Sequence, residues 1–147
     1  MPRNYILTHI EKRITGYIPI RRASIKIGQI ITFYYPKSEN NKHPTLIVLN
    51  PRFNNLLHSI VLDYMTLEDV NTFRKFVIQE VKEVETDEPD KFVPALRKLS
   101  TESQTPESFY RIRMRHYLDT HKNIHYRTYK YEDIHSLRLV AYNFFVK

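Results

Sequence analysis

Between Ser24 and Thr66 three apolar runs follow one another with only short polar breaks, and that spacing constrains the fold most. The first, Ile30-Ile31-Thr32-Phe33-Tyr34-Tyr35, is β-branched and aromatic, is led in by Ser24-Ile25-Lys26-Ile27-Gly28-Gln29, and stops at Pro36. Lys37 to His43 are wholly polar and end at Pro44, as expected for an exposed hairpin loop. Thr45 to Leu49 form a second strand, Asn50-Pro51-Arg52-Phe53-Asn54-Asn55 a turn, and Leu56 to Tyr64 a third strand. Strands this close in sequence pair with their neighbours, so an antiparallel meander is the natural arrangement.

A helix is expected next. Thr66 reads as its N-cap, with Glu68 and Asp69 near the positive end of the helix dipole. Leu67, Val70, Phe73, Val77, Val81 and Val84 recur at three- and four-residue steps, which predicts a helix over 67–84 with one stripe packed on the sheet. Glu85 to Lys91 reads as an acidic loop, Pro94 interrupts the segment after it, and Ser100 to Gln104 as a polar connection. Thr105-Pro106-Glu107 is a second start signal, for a helix from Pro106 to about Asp119. Ile124–Tyr131 and Leu137–Val146 read as strands. Upstream, Ile6, Ile10 and Ile14 step by four towards Gly16, which predicts a short helix over 5–15 with Gly16 as its C-cap, while the β-branched isoleucines equally suit a strand.

These elements predict an α+β fold: a small antiparallel β-barrel with a helical insertion and a C-terminal closing strand, since closure removes exposed sheet edges. With 147 residues one domain is expected, divided into an N-terminal arm or short helix (1–24), the meander (25–66), the helical insertion (67–120) and C-terminal strands (124–147).

Composition excludes several chemistries. Two glycines rule out a Gly-rich phosphate loop, and the lack of cysteine rules out disulfides, thiolate zinc sites and cysteine nucleophiles. No apolar run approaches the roughly 20 residues of a membrane-spanning helix, and Met1-Pro2-Arg3-Asn4 does not open a secretory signal, so no membrane contact is expected.

The net charge of +7 is uneven. Residues 1–35 carry six Lys or Arg against one acid, 36–104 nine against eleven, and 105–147 eight against four. Basic ends favour nucleic acid or an acidic protein surface, and equally serve solubility. The C-terminal third interleaves base and ring. Arg111, Arg113 and Arg115 lie on the expected second helix with Tyr110 and Tyr117, and Arg127, Tyr129, Lys130 and Tyr131 on the strand after it. Cations neutralise phosphates and exposed Tyr rings stack on bases, so these seven are the candidate nucleic-acid or partner contacts. The period of two puts Arg127, Tyr129 and Tyr131 on one face and Lys130 on the other. The competing reading packs the rings inward and leaves the charges in water.

Histidine is the other suggestive type. His116, His121, His125 and His135 lie close together, and His121-Lys122-Asn123-Ile124-His125 has a spacing that on a helix binds zinc. Here it falls past the expected helix end, with no Glu after His121. Solvated or hydrogen-bonded histidines are expected instead, with no metal, no cofactor and no catalytic set: Glu132 and Asp133 are adjacent, and no Ser or Thr is paired with a base.

Two resemblances emerge. Gly28 to Tyr35, Pro44 to Leu49, the strand ending Tyr64-Met65-Thr66, and Tyr126-Arg127-Thr128-Tyr129 followed by Ile134-His135-Ser136-Leu137-Arg138 together resemble small tailed-bacteriophage proteins with an SH3-like barrel, over residues 25–140. That resemblance implies a non-enzymatic virion or assembly protein in an oligomeric assembly. Its partners would be other virion proteins and, as an optional further contact, DNA; its place would be the virion or host cytoplasm. The opening is also similar to the PemK/MazF-type toxin endoribonucleases, which have Arg before the Pro of the second strand and Thr or Ser after the third. This chain has His43 and Thr66 there, and lacks the cation that stabilises the phosphate transition state. A nucleic-acid-binding module or a relative of these endoribonucleases is the alternative.

Overall fold

The computed structural model describes residues 14–81, 90–102 and 123–142. The expected meander is present as β2 (Ile30–Tyr34), β3 (Thr45–Asn50) and β4 (Leu56–Val61), paired antiparallel in that order. β5 (His125–Lys130) adds beside β4, and β6 (His135–Tyr142) pairs with β2 on the far side. β1 (Ile14–Pro19) then flanks β6, giving a six-stranded sheet ordered β1-β6-β2-β3-β4-β5. The fold is α+β, and the sheet does not close: β1 and β5 share no pairing.

β1 corrects the expectation for the N-terminal segment. Gly16 lies inside a strand, opposite Ala141, and is not a helix C-cap. The β-branched Ile14, Thr15 and Ile18 favour extended backbone, and pairing with β6 overrides a local four-residue period. Residues 5–13 of the expected helix lie outside the described residues.

α1 (Leu67–Glu80) begins as expected, with a reciprocal capping box: Thr66 Oγ1 accepts from Asp69 N at 3.2 Å, and Thr66 N donates to Asp69 Oδ2 at 2.9 Å. It ends before Val81 rather than at Val84. A second helix, α2 (Phe92–Glu102), occupies a segment read as interrupted by Pro94. Pro94 sits in its first turn, where its missing N–H costs no intrahelical bond. Asp90 organises that start: Oδ1 accepts from Phe92 N at 3.0 Å, while Oδ2 takes the Arg74 guanidinium of α1. The expected helix over 106–119 lies outside the described residues.

Two apolar layers flank the sheet. Ile30, Ile47, Leu49, Ile60 and Leu62 meet Val70, Phe73, Val77, Phe92 and Leu96 of the helices. Ile31, Phe33, Leu46, Val48 and Leu57 project the other way and enclose Ile25, Tyr129 and Ile134. β3 lies between both layers, which explains its unbroken Leu46-Ile47-Val48-Leu49 run. The second layer has no α-helix over it among the described residues; it is sealed by the curl of the sheet together with Ile25, Tyr131 and Ile134 from outside the strands. β2 and β5 are three strand steps apart, about 14 Å in a flat sheet at the usual spacing. Yet the Phe33 and Tyr129 rings lie 5.1 Å apart, and Lys130 N donates to the hydroxyl of Tyr35, just past β2, at 3.3 Å. The sheet is therefore strongly curled, with two open edges. No helix among the described residues is long and apolar enough to cross a membrane.

Candidate functional site

The concave side of the curl opens into a cleft of about 600 Å³ beside β5. One wall is the turn between β2 and β3. Its side chains bend back on its own backbone: Ser38 Oγ accepts from Asn41 N at 3.3 Å, and Asn41 Oδ1 from His43 N at 3.2 Å. Asn41 is buried, and its amide nitrogen donates to the carboxylate of Asp63, itself 1% exposed, which also accepts from Thr45 N at 3.2 Å. The turn expected to be a solvated loop is thus pinned to the segment just past β4 by a buried amide–carboxylate bond. Charged acceptors make such bonds strong, and burial makes them costly to break.

The opposite wall is β5. Register places Arg127 opposite Ser59, Tyr129 opposite Leu57 and His125 opposite Val61, so these three project into the concave side. Arg127 is exposed; its Nη1 donates to Tyr126 O at 2.9 Å and its Nη2 lies 3.5 Å from His125 Nδ1. Burial first, and the Arg127 charge second, hold the His125 pKa below its ordinary value, which favours the neutral ring beside Arg127. Tyr64 stands edge-on to His125 with centroids 5.2 Å apart. Tyr35 and Tyr129 meet at 4.9 Å at the floor. Burial, followed by the nearby Asp63 carboxylate, pushes the Tyr129 phenol pKa far up.

No protein-family model, curated protein or solved structure matches this chain.

Of the seven residues proposed from sequence, four are described. The period of two is seen: Arg127 and Tyr129 share the concave side, and Lys130 is exposed beside Leu56. Tyr129 is 8% exposed, its ring held edge-on by Phe33 and Tyr35. Tyr131 follows in a 3-10 turn (Tyr131–Asp133), packs on the same layer, and donates its hydroxyl to Pro51 O. The available surface on β5 is therefore cationic rather than aromatic. Arg111, Arg113 and Arg115 lie outside the described residues, as do His116 and His121. His125 lies in the cleft and His135 beside Tyr34, and no group of three or more metal-binding side chains forms among the described residues.

The two positions aligned with toxin endoribonucleases serve other contacts. His43 stacks on Tyr34 at 5.0 Å, and Thr66 holds the capping box of α1. Sequence reasoning missed Asn41, Asp63, Tyr35 and Tyr64 as a cluster. A short polar residue within a loop and a lone Asp ending an apolar strand were the available signals, but their meeting depends on strand register.

Proposed function

We propose that this chain is a non-enzymatic interaction protein, a virion or assembly component of a tailed bacteriophage that docks on neighbouring subunits through an open edge of its sheet. The observation that carries this reading is β1. Its outer side pairs with no strand among the described residues, and it presents Tyr17 at 46% and Ile18 at 59% exposure. Open strands bearing large apolar groups are templates for association, and monomeric proteins usually blunt them with charge. Here the Arg138 guanidinium lies 4.4 Å over the Tyr17 ring and leaves Ile18 uncovered.

The phage setting, and a place in the virion or host cytoplasm, come from the resemblance of residues 25–140 to small tailed-phage proteins. The same resemblance makes the curled β2–β5 segment an SH3-like barrel left open on one side. Mass spectrometry of purified particles should detect the chain, and its absence would count against the reading. Ile18→Lys should keep the fold and abolish co-purification with particles; undiminished incorporation would exclude β1 as the docking edge.

Nucleic-acid contact through β5 is the second reading, favoured by the exposed Arg127 and Lys130 on the other open strand. Phosphate neutralisation releases counterions, so each contact steepens the fall of affinity with salt. Fluorescence anisotropy with labelled duplex DNA should show affinity that collapses between low and physiological salt. No binding at low salt to duplex or single strand would sink this reading.

A further inference from the structure

The cleft beside β5 differs from either open edge because its walls are built. Asp63 anchors the 38–41 turn through Asn41, Tyr35 is tethered by the backbone of Lys130, and Tyr64 is set edge-on against His125. Preorganised walls reduce the ordering cost of binding, and a volume of about 600 Å³ lies within the range of small-ligand sites. Its lining combines three chemistries: an exposed guanidinium, aromatic rings, and the polar side chains of Ser38 and Asn40. Among the described residues Arg127 engages no carboxylate; its contacts there are the Tyr126 carbonyl and a ring nitrogen of His125. A planar fork in that state suits a phosphate, which it holds bidentately. Glu39 on the opposite rim repels an anion, so the phosphate belongs at the β5 end. An aromatic heterocycle would then extend towards Tyr64 and His125, with its polar edge facing Ser38 and Asn40.

We propose that this cleft binds one nucleoside monophosphate unit, with Arg127 on the phosphate and the base against Tyr64 and His125. The inference rests on the β5 nucleic-acid reading and narrows it from a charged strand to a single-nucleotide pocket. The unit is either a free nucleotide or one residue of an unpaired strand.

Isothermal titration calorimetry on the full chain tests it, with thymidine and adenosine 5′-monophosphates, thymidine, adenosine, inorganic phosphate, hexathymidylate and hexaadenylate as probes. At least one monophosphate should bind, more tightly than its nucleoside and than phosphate alone. Arg127→Gln should weaken that binding about tenfold or more at unchanged Tm, because its side chain is exposed. Tyr64→Leu should weaken monophosphate and nucleoside alike. A hexanucleotide binding more tightly than its monomer identifies the unpaired strand as the source; equal affinity identifies the free nucleotide. The proposal is overturned if no monophosphate or hexanucleotide binds at millimolar concentration. It is equally overturned if phosphate alone binds as well, or if Arg127→Gln leaves affinity unchanged. Duplex DNA binding without mononucleotide affinity would also overturn the pocket, while leaving the broader nucleic-acid reading intact.

Discussion

Burial first, and then the Arg127 charge beside its ring nitrogen, disfavour the protonated form of the His125 imidazole. The folded pKa is depressed below the ordinary 6.5, so between the two values the unfolded chain binds more protons. This residue's contribution is therefore fully present above pH 6.5 and is lost as pH falls towards the folded value. NMR titration of the His125 ring should show a midpoint below that of a model imidazole, and Arg127→Gln should raise it by removing the second of its two causes. A midpoint unmoved by Arg127→Gln would mean that burial alone depresses it. At Gly28 the constraint is steric. Its φ is +87°, and an added Cβ would lie 2.7 Å from Val93 Cγ1 of α2. Gly28→Ala should cost about 1–3 kcal/mol through left-handed strain, more if Val93 cannot shift, read as a lowered urea midpoint.

At the scale of elements, the two helices are held by a few discrete contacts. Thr66→Ala removes a capping acceptor from α1 and should cost about 1 kcal/mol in chemical denaturation. Phe92 is fully buried and edge-on to Phe73 at 5.9 Å, so Phe92→Ala should cost about 3–5 kcal/mol. That substitution would also remove the ring beneath the Arg74 guanidinium, which binds Asp90 beside it. The elements differ in how openly the sequence announced them. α1 was legible because cap and stripe are local, and the meander because its runs and turns are contiguous. α2 was obscured by Pro94, whose effect depends on its place within the helix rather than on its presence. β1 was hidden by an apolar period that suits a helix, since only its distant partner β6 decides the matter. The cleft was half legible: Arg127 and its facing follow from alternation along β5, whereas Asn41 meets Asp63 through the β3–β4 register, which no local pattern encodes.

Across the whole molecule the sheet is a gradient from a doubly covered centre to uncovered rims. Amide hydrogen exchange should be slowest in β3 and β4, buried on both faces, and fastest in β1 and β5. Protection in β1 that rises on adding a purified partner would locate the docking edge directly. The pairing of β1 with β6 also has a kinetic side. The first described strand finds its only described neighbour in the last, across nearly the whole chain. Such non-local pairing must await the collapse of everything between, which raises contact order and slows folding. On the ribosome β1 emerges before β6 and must stay unpaired until β6 is made. During that interval Tyr17 and Ile18 would be accessible to any holding chaperone, so the same rim would have an occupant before the finished fold exists.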